Sequence, residues 1–427
     1  MSHVKPWQIC AIAAFTLAAL VPAVTTASAG SINDLIKERL YGNPDDTSTR
    51  KPPDGYNLFF IETVGRHGAR ALVNDDPEQA ALGLWNAAEE KGALTDTGES
   101  LARDIKTFQA AEREIGYGRL SGLGKEEMKG IGRRTADNYS SFFRWIKSRD
   151  KDIATVTTEV TRTEQSAGWL RAGLESGLDS ELDGQFATPV EADETMRFSN
   201  EATSAGQAMV DKVRNRASLR ERSKHVLGTS YKASFVDSLD DPVSAALTLY
   251  KLYITAPSMK RETDVRFGRY VPEEDRDALS YYSDVETYYQ WGPGVKGETN
   301  TFSKARPLLD AFFDRLDRRI EGSPTAAVFR IGHGETIMPF AALIKAPLSH
   351  VQTPKGDVFS RITNPWRSAI AGRLSGNIEW TAFRNKAGEV LVTMRYNEVQ
   401  AQFHSGCTPY KPTSYFYRVE ELKDCLR

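Results

Sequence analysis

The sequence predicts an α/β fold, a mostly parallel sheet with flanking helices, into which a mostly helical domain is inserted. Two observations carry this reading. Three short strand-like runs, the apolar 58–64 and 326–332 and the threonine-rich 155–158, have the length of buried strands, and each leads into a turn or helix start bearing charged residues. Long stretches with helical spacing separate the runs, and strands alternating with helices build parallel sheets. Such sheets hold ligands in the crevice beyond the carboxyl ends of their strands, so the residues following each run carry the functional information.

Each element follows in chain order. Lys5 precedes an apolar stretch from Ile9 to Val24 and then Ala27-Ser28-Ala29, the small-x-small pattern of a cleaved export signal over residues 1–29. A membrane anchor is the competing reading. Against it, Pro22 interrupts the run, no basic stop-transfer cluster follows, and no later segment is long and apolar enough to span a bilayer. Residues 41–56, rich in Pro, Asp, Gly and Thr, read as a connection to the first strand, 58–64. Five glycines between 118 and 139 suggest a nucleotide loop, yet Gly124-Lys125 lacks the Walker spacing, while Met128, Ile131 and Thr135 fit a helix packed on the sheet. The second strand, 155–158, precedes Arg162 and a helix-like stretch, 163–170.

From 174 to 297 the pattern is helical: 201–219 is polar, 242–254 apolar and 272–291 amphipathic. Pro307, the apolar series Leu308, Leu309, Phe312, Phe313, Leu316 and Ile320, and Gly322 mark a helix returning the chain to the sheet. The third strand, 326–332, follows. Residues 378–383 and 390–394 flank the turn-like Asn385-Lys386-Ala387-Gly388 and predict a hairpin, an antiparallel addition. The expected domains are therefore an α/β core over 30–173 and 298–427 and a helical cap over 174–297.

Composition restricts the function. The chain has 427 residues, 40% hydrophobic and 26% charged, with a net charge of −2, so nothing marks it as a nucleic-acid binder. Loss of residues 1–29 removes one cation, Lys5, leaving 54 Lys and Arg against 57 Asp and Glu, and takes Cys10 with it. Cys407 and Cys425 remain, an even pair that forms one disulfide in an oxidising compartment; two buried reduced thiols are the alternative. No zinc or calcium spacing is present, and six scattered histidines suggest no metal site.

The three strand ends share one chemistry. Arg66-His67-Gly68-Ala69-Arg70 follows the first strand, Arg162 the second, and His333-Gly334-Glu335-Thr336 the third. Guanidinium groups bind phosphate oxygens bidentately, so the cluster reads as a phosphate pocket with a nucleophilic histidine. Solvated arginines and a surface turn are the plain alternative for any one of these, but independent surface residues rarely all follow strands.

These segments resemble the histidine acid phosphatases, whose signature is R-H-G-x-R-x-P, and within them the multiple inositol polyphosphate phosphatases. The run 332–340, Gly-His-Gly-Glu-Thr-Ile-Met-Pro-Phe, is similar to that group's G-H-A-E-T-L-x-P, with the acid two residues after the histidine. Arg162-Thr163 before Ser166-Ala167, residues 284–289 before Gly292-Pro293-Gly294, Asn377-Ile378-Glu379-Trp380, and Tyr396-Asn397-Glu398 before Cys407 extend the likeness from about residue 56 to the C-terminus. Two positions depart: Leu72 stands where the signature has proline, and Gly334 replaces the usual alanine.

The resemblance implies a histidine-phosphatase-like core and a phosphomonoesterase that needs no cofactor and no metal. His67 is then the nucleophile, forming a phosphohistidine, and Glu335 protonates the leaving alkoxide and later activates water. Arg66, Arg70 and Arg162 clamp the phosphate, with a further hydrogen bond from His333. The implied partner is a small polyanionic phosphate such as phytate, with no nucleic acid and no stable membrane anchor. Lys212, Arg214 and Arg216, and Lys260, Arg261, Arg266 and Arg269, are candidates for a basic rim; a solvated helix face is the alternative for each. The competing functions are a broad acid phosphatase on small monoesters, a phosphomutase, which export disfavours, and a non-catalytic anion binder.

Overall fold

Along the first strand, β1 (Asn57–Arg66), apolar side chains are buried on both faces: Phe60 and Val64 enter one core, Ile61 another. That two-sided burial is what a central strand requires, and it explains the near-continuous apolar run. The computed structural model describes residues 37–426, except 43, 45, 188–190 and 199–200; the expected export signal lies outside the described residues. Among the described residues no helix is long and apolar enough to cross a membrane.

After β1 come α1 (Asp76–Glu90), α2 (Leu101–Ile115) and α3 (Gly122–Ser148), then β2 (Asp152–Thr157) and α4 (Thr161–Leu178). The short β3 (Glu191–Ala192) leads to α5 (Ser204–Arg214), α6 (Ala217–Gly228), α7 (Pro242–Thr255) and α8 (Glu273–Trp291). Next are α9 (Arg306–Ile320), β4 (Thr325–Gly332) and α10 (Gly334–Leu343). The chain closes with β5 (Asn377–Arg384), β6 (Val390–Tyr396), β7 (Val399–Ala401), β8 (Tyr417–Arg418) and α11 (Val419–Leu426).

The sheet runs β3-β2-β4-β1-β5-β6-β7, with β8 also pairing β6. Its first half, β3 to β1, is parallel, and from β5 onward every pairing is antiparallel. The expected hairpin, β5 and β6, is therefore the start of a longer antiparallel half. One face packs on α3 and α4 through Ile61, Ile153, Phe329 and Ile331. The other packs on α9 and α10 through Val64, Val156, Val328 and Trp380. The result is a helix-sheet-helix sandwich.

A third core belongs to the helical body. It joins Ala81, Ile105 and Phe108 of α1 and α2 to Val226, Leu249, Tyr250, Leu279 and Tyr288 of α6, α7 and α8. The helical body thus draws on residues 76–115 as well as on the segment between β3 and α9. The reason is local: α1 and α2 leave the sheet directly after the turn that follows β1, and their apolar faces meet α7 instead of a strand. Cys407 and Cys425, 18 residues apart, are joined by a disulfide with Cα atoms 5.3 Å apart, beside Val419, Leu422 and Leu426 of α11 in the sheet core.

Candidate active site

Parallel pairing aligns the carboxyl ends of three strands. Arg66 of β1 stands opposite Gly332 of β4, and Thr157 of β2 opposite Ile331. His67, His333 and the first turn of α4, with Arg162, therefore share one edge. The two imidazoles lie edge to face with centroids 5.6 Å apart.

The turn after β1 is fixed at every residue. His67 N–H donates to Gly332 O (3.0 Å), Ser375 N–H to His67 O (3.0 Å), and Gly68 N–H to Ser166 Oγ of α4 (3.1 Å). Ala69 N–H donates to Glu127 Oε2 of α3 (3.0 Å). Two glycines permit a close crossing: a Cβ on Gly124 would lie 2.0 Å from Ala69 O, and one on Gly68 2.6 Å from Gly124 O. The glycine-bearing stretch at the start of α3 thus serves this contact with the turn.

His67 is 2% exposed, and its Nδ1 lies 2.9 Å from Gly68 O. A carbonyl only accepts, so Nδ1 carries the proton and Nε2 keeps its lone pair. Burial, then Arg66, Arg70 and Arg162, hold the imidazole well below its ordinary pKa. The side chain is therefore neutral at mildly acidic pH. His333 caps α10, its backbone N–H donating to Thr336 Oγ1 (3.0 Å). Its Nδ1 accepts from Arg162 Nη2 (3.2 Å), so Nε2 bears the proton toward Thr158 Oγ1 (2.8 Å). Burial, then Arg162 and Arg66, outweigh Glu335 and push His333 down to about 4. In this arrangement His333 orients Arg162.

Arg66 and Arg70 are buried, and they surround an unexpected anion. Glu38, from the segment before β1, lies 3.5 Å from Arg66 Nη2, 3.8 Å from Arg70 Nη2 and 3.3 Å from Lys251 Nζ of α7. Burial alone would raise its carboxyl, but Lys251, Arg70, Arg66 and Lys37 hold it well below the usual carboxylate range. Lys37 lies over the Trp291 ring (4.4 Å), and burial, then Lys251, lower its ammonium to about 8. Arg66 also donates to the carbonyls of Lys37 and Gly372. The Nε–H groups of Arg66, Arg70 and Arg162 are nonetheless buried without a protein acceptor. Buried donors normally have partners, though the Nε–H groups of Arg330, Arg373 and Arg395 also lack one, so the clustering of Arg66, Arg70 and Arg162 around His67 is the feature that suits an oxyanion.

Of the residues the sequence singled out, Arg66, His67, Arg70, Arg162 and His333 lie together at this edge. Glu335 sits partly exposed in the first turn of α10, and its charge acts on Arg66, Arg162, His333 and Lys37. The alanine usual at 334 would fit, since a Cβ there meets Arg66 at 3.5 Å, so glycine at this point is not a steric necessity. The site residues that sequence reading missed are Lys37, Glu38 and Lys251. The expected rim is largely committed to neighbours: Arg261 pairs with Glu126 (2.9 Å), Arg269 with Asp104 and Arg214 with Asp241 (2.6 Å). Arg266 donates to the Thr263 and Val265 carbonyls, Arg216 lies over the Tyr281 ring (5.8 Å), and Lys212 and Lys260 are exposed.

Comparison with known proteins places the chain in a family and a fold. The sequence pattern of the histidine phosphatase superfamily (branch 2) matches residues 57–378. Among solved structures, the apo multiple inositol polyphosphate phosphatase of Bifidobacterium longum superposes with a TM-score of 0.88 at 23% identity, over 92% of this chain and 97% of that one. The same enzyme in complex with inositol hexasulfate gives 0.86 at 24% identity, with the same coverage. A phytase from D. castellii gives 0.67 at 14% identity, over 92% of this chain and 84% of that one. At these identities the likeness establishes the fold. Curated protein sequences give no match.

Proposed function

This chain belongs to the histidine phosphatase superfamily, branch 2, and from that premise we propose that it is an exported phosphomonoesterase removing phosphate from inositol polyphosphates such as phytate. The observation that carries the reading is the strand-end cluster: a neutral, buried His67 that keeps its Nε2 lone pair among the guanidinium donors of Arg66, Arg70 and Arg162. A phosphate monoester brings the oxygens those donors need.

The chemistry follows from the atoms. Arg66, Arg70 and Arg162 bind the non-bridging oxygens and stabilise charge as the P–O bond breaks. His67 Nε2 attacks in line, while Gly68 O holds the Nδ1 proton and fixes the ring. Glu335 protonates the departing alkoxide and then takes a proton from water, which hydrolyses the phosphohistidine. His333 Nδ1 accepts from Arg162 Nη2 and so sets the direction of that guanidinium, in place of the direct hydrogen bond to phosphate expected of His333. Helices α5 to α8, with α1 and α2, form the cap beside the crevice, whereas Leu174, Leu182, Phe186 and Met196, expected in the cap, pack in the sheet cores. Lys37 and Lys251 supply positive charge beyond the clamp, which suits a substrate carrying several phosphates; the B. longum enzyme binds the polyanion inositol hexasulfate, and also phosphate.

The test is phosphate release from phytate against a small aryl phosphate, with product positions resolved. A kcat/KM at least tenfold higher on phytate supports the reading. Equal values would favour the broad acid phosphatase.

A further inference from the structure

Leu72 occupies the place where the family signature has proline, and the substitution creates a backbone N–H that proline lacks. We propose that Glu112 of α2 is a positioning residue for the phosphate clamp: its buried carboxyl accepts the Leu72 N–H and so fixes the turn carrying Arg70. The contact is short, Leu72 N to Glu112 Oε1 2.6 Å, and both residues are at most 1% exposed. An N–H buried there without an acceptor would cost about 1–3 kcal/mol.

The consequence reaches two arginines. Residues 69–72 are paired with 118–121: Ser121 N–H donates to Ala69 O (3.0 Å), Ala71 N–H to Arg119 O (3.1 Å) and Gly118 N–H to Leu72 O (2.6 Å). Arg70 faces Leu120 across this ladder, and Leu120 N–H is held by Gln165 of α4 (3.0 Å). Gly118, opposite Leu72, lies close to Arg162: a Cβ on it would be 4.0 Å from Arg162 Nη1. Glu112 closes the ladder at its open end, so both Arg70 and Arg162 depend on the register it maintains.

Glu112 has the support this role requires. Glu78 of α1 is fully buried beside it and accepts from the Tyr117 hydroxyl, on the same ladder segment. Neither acid makes an ion pair among the described residues. Burial, with Glu78 adjacent, pushes Glu112 up to about 9, so the carboxyl is neutral at mildly acidic pH and needs no cation. A neutral carboxyl retains its carbonyl acceptor for Leu72.

The inference rests on the reading of Arg70 and Arg162 as phosphate ligands, and a proline rescue tests it. In the wild-type background, Glu112→Met weakens orthophosphate affinity and kcat/KM on an aryl phosphate by roughly tenfold, as misplaced binding groups do. In the Leu72→Pro background, which has no N–H to satisfy, the same change costs less than about twofold in both. Glu112→Gln, which keeps the acceptor, stays near wild type. Equal losses in the two backgrounds, or a Glu112→Met chain that fails to fold in both, overturns the proposal, since its claim is that proline makes Glu112 dispensable. Orthophosphate binding measured by calorimetry needs no turnover. A wild-type protein that neither binds orthophosphate nor hydrolyses the ester would instead defeat the functional reading.

Discussion

A carboxylate in a phosphate clamp competes with the substrate for the same cations. Glu38 neutralises part of the charge of Arg66, Arg70 and Lys251, and phosphate must displace it or share its partners. Glu38→Gln is therefore expected to tighten orthophosphate inhibition by about tenfold while lowering the melting temperature without phosphate, because unpaired buried cations are costly. Added phosphate restores the loss; weaker phosphate binding in the variant would show that Glu38 assembles the clamp. The histidines make a separate prediction. His333, held at about 4, and His67, held lower than normal, resist protonation when folded and accept it when unfolded. Stability then falls as pH drops from about 6.5 toward 4, by up to about 3 kcal/mol for His333. Urea unfolding of His333→Asn across that window should give a shallower slope than wild type, and an identical slope would contradict the assignment. At this scale the residues that gather at the strand ends were legible because each follows a strand. Lys37, Glu38 and Lys251 were not, since their contacts join a segment outside any strand to a distant helix.

Elements carry the site through their ends. The carboxyl ends of β1, β2 and β4 and the amino ends of α4 and α10 meet at one edge, and the apolar runs foretold those strands because both faces are buried. The antiparallel half was only partly legible: β7 and β8, at 3 and 2 residues, are too short for a period to register. The glycines near 124 drew attention in the sequence, but their reason, the 2.0 Å approach to Ala69 O, is a tertiary contact. The disulfide closes an 18-residue span that ties α11 to the sheet. Cys407→Ser and Cys425→Ser should each cost about 3 kcal/mol, and the double variant no more than either, with kcat unchanged. Two reactive thiols in the denatured protein without reductant would contradict the bridge.

On the scale of the whole molecule, charge is distributed unequally between surface and crevice. The basic residues that sequence suggested as a rim include Arg261 and Arg269, which exposed or partly buried acids already neutralise, whereas Lys251 points inward to the clamp. A pattern of interspersed signs on a helix does not reveal which cation faces inward, because that depends on how α7 docks. Lys251→Met should raise KM for phytate at least fivefold more than for an aryl phosphate, while neutralising Lys260, Arg261, Arg266 and Arg269 together changes the ratio less than twofold. The reverse ranking would return the rim to the surface. All of this presupposes that phosphate passes through His67. Rapid mixing with labelled phosphate ester, followed by an alkaline quench that preserves phosphohistidine, tests that step directly. The expected result is label on His67 in the wild type and neither label nor turnover in a folded His67→Ala variant. Label on another residue, or substantial turnover without His67, would contradict it.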